Sequence, residues 1–442
     1  MAGLKRKLSA AQIIIVSFAA AVLLGSLVLM LPFAARDGQS VSFPDALFTA
    51  ISATCVTGLV VRDTATTWSA FGQAALLVMI QVGGMGVVTM AAAIAAASGK
   101  KISLMQRSTM QEAISAPKVG GIVQLTGFIL RLTLLFEGVG AALLATVFIP
   151  RFGMGRGIWY SVFHAVSAFC NAGFDLMGAQ EPFSSLTGFA AQPVINIALM
   201  LLIVIGGIGF LTWEDIATNR LHVRRYRMQT KVILVSAAVL VLLPAAYLFF
   251  FELNALPWGE RVWAALFQSV TLRTAGFNTV DLAEISEPGQ VMMMVLMLTG
   301  GAPGSTAGGM KTTTLVVMLA TSTAVFGRHA DTRLFGRRID DDTVRRAATI
   351  LTLYTALFLI GGCLISRMEG LPLMSCLFET ASAVGTVGVT LGLTPSLGMA
   401  SRVILMLLMF FGRVGGLTLI FAALAGYHPD RAKLPQERLT VG

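Results

Sequence analysis

The chain has 442 residues, of which 56% are hydrophobic and 12% charged, with a mean hydropathy of +0.80. Soluble domains carry about 25% charged residues, so this balance excludes an ordinary soluble globular protein and points to an all-α polytopic membrane protein. The net charge of +10 is a topology signal rather than a nucleic-acid surface, because the basic residues gather between apolar runs.

Lys5, Arg6 and Lys7 precede the first apolar run, 11–33, which is too long for a signal-peptide core and is predicted to be a retained helix. A run at 72–98 leads to Lys100, Lys101, Arg107 and Lys118. Runs at 123–149 and 193–213 lead to Arg220, Arg224, Arg225, Arg227 and Lys231. Runs at 230–252 and 290–325 lead to Arg328, Arg333, Arg337, Arg338, Arg345 and Arg346. Runs at 347–366 and 400–424 lead to Arg431, Lys433 and Arg438. Placing all five basic segments in the cytoplasm makes each pair of runs cross out and back, with both termini inside.

Between the two runs of each pair lies a shorter segment: "ALFTAISATCVTGLVV" (46–61), "SVFHAVSAFCNAGFDL" (161–176), "ALFQSVTLRTAGFNTV" (265–280) and "CLFETASAVGTVGVTL" (376–391). Each runs from a phenylalanine (Phe48, Phe163, Phe267, Phe378) to a glycine (Gly58, Gly173, Gly276, Gly388), over 10, 10, 9 and 10 residues. This internal repetition divides the chain into repeats at 1–98, 119–218, 230–326 and 345–425, with a tail at 426–442.

A helix of roughly 10–12 residues reaches only about halfway through a bilayer core. The non-helical backbone after it is tolerated at that depth only inside protein or along water. Four copies, each flanked by two spans, can surround one pseudo-fourfold axis and offer it rings of carbonyls. The negative ends of the half-helices favour a cation there, and the glycines allow the φ that such a turn needs.

Each returning run also carries a glycine pair: "QVGGMG" (81–86), "VIGGIG" (204–209), "LTGGAPG" (298–304) and "FGRVGG" (411–416). In the first two repeats these read as helix-packing notches. In the third, "GGAPGSTAGGMK" is too long and too broken for a notch, and an unwound intramembrane loop is predicted at 300–311. Lys311 and Arg413 are cations at membrane depth; such side chains cost about 2.5–3.5 kcal/mol to insert and usually face a cavity and act.

The loops "TCVTGL", "FCNAGF", "LRTAGF" and "AVGTVGV", with "TAGFN" and "GGAPGSTAGGMKT", resemble the Trk/Ktr/HKT superfamily of potassium transport proteins over nearly the whole chain. The length looks most like the membrane subunit of the bacterial Ktr system. The resemblance implies a potassium filter lined by backbone of Cys55, Val56, Thr57 and Gly58; Cys170, Asn171, Ala172 and Gly173; Arg273, Thr274, Ala275 and Gly276; and Gly385, Thr386, Val387 and Gly388. Glycine at Gly58 goes with potassium in that family, and serine with sodium. The resemblance also implies a gate made of Gly300, Gly301, Gly304, Ser305, Thr306, Gly308, Gly309 and Lys311, with Arg413 as a nearby barrier to cations.

It further implies a homodimer on a cytosolic, nucleotide-binding regulatory ring of the RCK type, such as KtrA. Nucleotide would bind only that ring, and sodium would act as an activator. The basic stretches 219–231 and 328–346 could dock the ring or meet lipid headgroups. Arg273 is expected to turn its side chain away from the axis, onto Asp175, Asp281 or Glu379.

The four cysteines lack metal-ligand spacing. His164, His222, His329 and His428 form no ligand pair and receive no role. No catalytic cluster or phosphate-binding loop is present in the sequence, and the chain is read as a transporter rather than an enzyme. The expected function is potassium uptake through a gated, channel-like pore in the bacterial inner membrane, driven by the membrane potential. The alternatives are a sodium-preferring relative and an alternating-access symporter.

Overall fold

The computed structural model describes residues 8–97, 102–114, 120–179, 181–423 and 437. The predicted basic residues Lys5, Arg6, Lys7, Lys100, Lys101, Lys118, Arg431, Lys433 and Arg438, and the tail 426–442 apart from Glu437, lie outside them.

Among the described residues, four helices are long and apolar enough to cross a membrane: Ala10–Leu29, Ile122–Phe152, Met228–Glu252 and Asp341–Glu369. They are the first helices of the four repeats. Each is followed by a short helix: Phe43–Thr54, Met154–Phe169, Trp258–Thr271 and Leu373–Gly385. Phe48, Phe163, Phe267 and Phe378 are 0% exposed, so each repeat packs around its short helix. Ser42 starts the first one by accepting from Asp45 N–H, with Pro44 in the first turn.

All four returning helices break, where the sequence pointed to one break. The first runs Ala70–Met85 and restarts as Val87–Ala97; the fourth runs Met399–Val414 and restarts as Gly416–Ala423. The second turns by 95° between Pro193–Gly207 and Phe210–Asn219. The hinges are Gly86, Gly209 and Gly415, at φ +84°, +91° and +93°, where a side chain would be strained. In the third, Glu287–Leu298 and Thr312–Phe326 flank the long unwound loop.

The packing reading of the glycine pairs also holds. A Cβ on Gly83, Gly206 or Gly412 would strike the carbonyl of Thr54, Phe169 or Val384, the last or last-but-one residue of its own repeat's short helix. The fourth pair was misregistered in the sequence: Gly412, not Gly415, is the counterpart of Gly83 and Gly206. Arg413 therefore occupies the place held by Gly84, Gly207 and Gly301.

The first and fourth repeats are joined through Asp45, which meets Arg62 Nε at 2.7 Å and Arg402 Nη1 at 3.0 Å. Arg402 also donates to the carbonyls of Pro395 and Leu397. Arg62 is 49% exposed and Asp45 only 11%. Arg62→Ala should therefore change stability by under about 1 kcal/mol. Asp45→Ala, which leaves Arg402 without its carboxylate, should cost about 2 kcal/mol. Thermal unfolding in detergent separates the two.

Candidate functional site

The four glycine loops close into a ring. A Cβ built on Gly58 would lie 2.5 Å from Ala172 O, one on Gly173 2.6 Å from Ala275 O, and one on Gly276 2.6 Å from Val387 O. The circuit shuts at Gly388, whose Cβ would strike Thr57 O. The glycines have φ of +92°, +68°, +89° and +95°. Two residues before each, Val56, Asn171, Thr274 and Thr386 are also left-handed, at +57°, +59°, +70° and +51°. The same double turn is thus built four times.

Backbone amides in the loops point back to their own helices. Thr57, Ala172 and Val387 N–H donate to the carbonyls of Ser52, Ser167 and Ser382 at 2.7–2.8 Å. In the third loop, one residue shorter, Ala275 and Gly276 N–H both reach Thr271 O. The carbonyls of Thr57, Ala172, Ala275 and Val387 accept no hydrogen bond among the described residues. Unbonded buried carbonyls are costly in protein. Four of them, each set against the preceding repeat's glycine around the ring, form a cage suited to a dehydrated cation.

Cys170, Asn171 and Arg273 make side-chain contacts within the protein. Cys55 and Cys170 are buried thiols, and Cys170 Sγ donates to Gln81 Oε1 at 3.4 Å. The amide of Asn171 lies 3.3 Å from Thr274 Oγ1. Arg273 does turn away from the loops, but to none of the three carboxylates expected of it. Its Nη2 approaches Thr312 Oγ1 at 3.5 Å, and Thr312 in turn donates to Gly300 O at 2.6 Å. Asp175 accepts from Met177 N–H, Asp281 from Ala283 N–H, and Glu379 from its own repeat.

The unwound segment of the third repeat lies across the underside of the ring and is bonded to the second and fourth repeats. Ala302 and Thr306 N–H donate to Gly207 O and Gly206 O, and Phe210 N–H to Gly304 O at 2.7 Å. Thr306 Oγ1 donates to Phe169 O at 3.0 Å, capping the second short helix. Gly309 N–H donates to Gly412 O, and a Cβ on Gly308 would strike Thr386 Oγ1. Ser305 Oγ donates to Ala302 O, inside the loop. Gly300 and Gly301 bond across the loop's base to Met310 and Thr312. The hydroxyls and glycines thus satisfy backbone that unwinding frees.

Two cations bond to the loop's carbonyls. Lys311 Nζ donates to Ala307 O at 2.8 Å and holds its own loop, rather than reaching toward the cytoplasm. Arg413 spans three repeats: Nη1 donates to Thr306 O, and Nη2 to Gly83 O at 2.5 Å and Gly84 O at 2.9 Å. Both line a cavity of about 280 Å³ beneath the loop, with Glu112 and Ile114 of the helix Leu104–Ile114 on its far side. The hinge glycines Gly86, Gly209 and Gly415 were missed from sequence, although a repeated GG-x-G in the first two repeats was there to be read.

Four re-entrant segments closed around one axis, with an unwound loop beneath, define a polytopic membrane protein of the cation-conducting class. The TrkH family, described as "Cation transport protein", matches residues 4–432, and the chain belongs to that family. It is 38% identical to the potassium/sodium uptake protein NtpJ of Enterococcus hirae, over 99% of this chain and 98% of that one. It is 36% identical to the Ktr system potassium uptake protein B of Bacillus subtilis, over 93% and 92%. The crystal structure of the potassium transporter TrkH from Vibrio parahaemolyticus shares the fold, with a TM-score of 0.73, 19% identity, and coverage of 97% of this chain and 86% of that one.

Proposed function

We propose that the chain takes up potassium through a gated, channel-like pore, as the ion-translocating subunit of a Ktr-type system. The observation that carries this is the closed ring of four unbonded carbonyls, at Thr57, Ala172, Ala275 and Val387. The filter is the backbone of 55–58, 170–173, 273–276 and 385–388, within repeats at 1–98, 119–218, 230–326 and 345–425. The loop 300–311 is the gate, and Lys311 and Arg413 hold it shut. The membrane potential drives the ion: about 2.3 kcal/mol per charge at 100 mV, or roughly fifty-fold accumulation.

The protein acts as a homodimer in the bacterial inner membrane, with cytoplasmic termini, on an RCK-type ring that binds the nucleotide. The stretches 219–231 and 328–346 are the docking surfaces. In the second, an exposed two-strand turn, Arg333–Leu334 with Arg337–Arg338, supports this reading. Sodium acts as an activator. A sodium-conducting variant is the second reading, favoured by the name of the Enterococcus hirae relative.

Ion flux into liposomes holding the purified chain, compared for potassium, rubidium and sodium, tests the proposal. Flux should favour potassium and rubidium. Sodium-favouring flux would overturn the substrate, and saturable flux with fixed ion stoichiometry would overturn the channel-like mechanism.

A further inference from the structure

The residue after the phenylalanine of each short helix is Thr49, His164, Gln268 or Glu379. The four behave differently. Thr49 Oγ1 donates back to Asp45 O, within its helix. Neither polar atom of Gln268 has a partner among the described residues, although the residue is 1% exposed. In the second repeat, Leu176 N–H donates to His164 Nε2 at 3.4 Å, while the other ring nitrogen meets Tyr160 O at 2.7 Å. That pairing fits one neutral tautomer, with Nδ1 donating and Nε2 accepting. In the fourth, Glu379 is 0% exposed and accepts from Thr390 Oγ1, from Leu391 N–H at 3.2 Å and from Thr394 Oγ1 at 2.5 Å. Among the described residues, a backbone amide of the strand leaving the glycine is tied back to the repeat's own short helix in the second and fourth repeats, at opposite corners of the ring, while the first repeat makes its tie through the Arg62–Asp45 ion pair.

We propose that Glu379 is a positioning residue for ion selection: its carboxylate anchors the strand at Thr390, Leu391 and Thr394 and thereby fixes the corner of the ring formed by Val387. The spacing of the ties carries the argument. Val387 N–H reaches Ser382 O at 2.8 Å, and Gly388 N–H reaches Ser382 Oγ at 3.0 Å. The next backbone amide tied to the helix is Leu391, at Glu379. Both oxygens of Glu379 are satisfied, so a fully buried carboxylate is held by three donors from one short stretch. Whether potassium is selected by cage size or by the number and field of its carbonyls, a corner released from one side can move in and fit a smaller ion. Glu379 touches no ion, and acts through the strand.

This inference rests on the filter reading, and the test separates the two. Potassium and sodium binding to the purified full chain is read as the rise in thermal midpoint with each ion, which needs no open gate. Potassium and sodium flux in liposomes is the second readout. A parent chain that neither ion stabilises refutes the filter reading, and this inference with it. Given a potassium-preferring parent, Glu379→Gln should keep the preference within about twofold, because one oxygen still accepts from Leu391 N–H and the amide can donate to Thr394. Glu379→Ala should lower it about tenfold, or 1.4 kcal/mol. The double variant Thr390→Val, Thr394→Val, which leaves the carboxylate in place, should lower it by an intermediate amount, and serves if Glu379→Ala does not fold. Parental preference in either of these overturns the proposal. Equal loss in Glu379→Gln and Glu379→Ala also overturns it, in favour of a charge effect.

Discussion

Gly58→Ser should cut potassium flux more than tenfold while leaving a folded protein. Gly58 has φ +92°, and a left-handed backbone of this kind costs a residue with a side chain about 1–3 kcal/mol. The larger effect is geometric. The added Cβ would sit 2.5 Å from Ala172 O and 3.2 Å from Gly173 Cα, both in the second repeat. One substitution therefore displaces a carbonyl of its neighbour as well as its own loop, and the ring loses two adjacent corners. The remaining flux should discriminate less between potassium and sodium. Gly38→Ala is the control: it has φ +72°, but nothing lies within 4 Å of its added Cβ. It carries the same kind of backbone strain far from the ring, so its flux should match the parent. Equal losses in the two variants would mean that strain alone, not the ring, accounts for the effect.

The parts of the molecule legible in the sequence are those that repetition encodes. Phe48 to Gly58 and its three counterparts measure a short helix plus a turn, so equal spacing becomes four equal loops. Their one irregularity, the shorter third loop, appears as a changed tie at Thr271. The long third loop was legible because proline and five glycines cannot continue a helix. The hinges at Gly86, Gly209 and Gly415 were not. A single glycine in an apolar run leaves hydropathy unchanged, and its positive φ is fixed by what packs against it. Arg273 shows the same limit. Its partner, Thr312, lies 39 residues away and is not a carboxylate, so no local pattern named it. Arg413 hid a register. An arginine stands where three repeats have the second glycine of a pair, and a search for glycines slid past it to Gly415.

That register makes Arg413→Ala the variant with the largest expected gain of flux. In the other repeats the position after the packing glycine is Gly84, Gly207 or Gly301 and brings no side chain beneath the ring, while in the fourth it brings a guanidinium. Its bonds to Thr306 O, Gly83 O and Gly84 O tie loop 300–311, the proposed gate, to the first and fourth repeats. Hydrogen bonds from a charged donor contribute about 1.5–3 kcal/mol each, partly offset by about 2.5–3.5 kcal/mol for keeping the charge at membrane depth. Removing Arg413 should therefore free the loop at a modest net cost in stability. It also removes a fixed positive charge from the exit path, worth about 4 kcal/mol against a cation 4 Å away at an effective dielectric of 20. Both effects act in one direction: basal potassium flux in liposomes, without any regulatory partner, should rise at least tenfold. Arg413→Lys keeps the charge but cannot span three carbonyls. If the charge is the barrier, the lysine variant should stay closed; if the tether is, it should leak like the alanine variant. Unchanged flux in a folded Arg413→Ala protein would remove Arg413 from the gate and leave loop 300–311 to be held by its bonds at Ala302, Gly304, Thr306, Gly309 and Lys311.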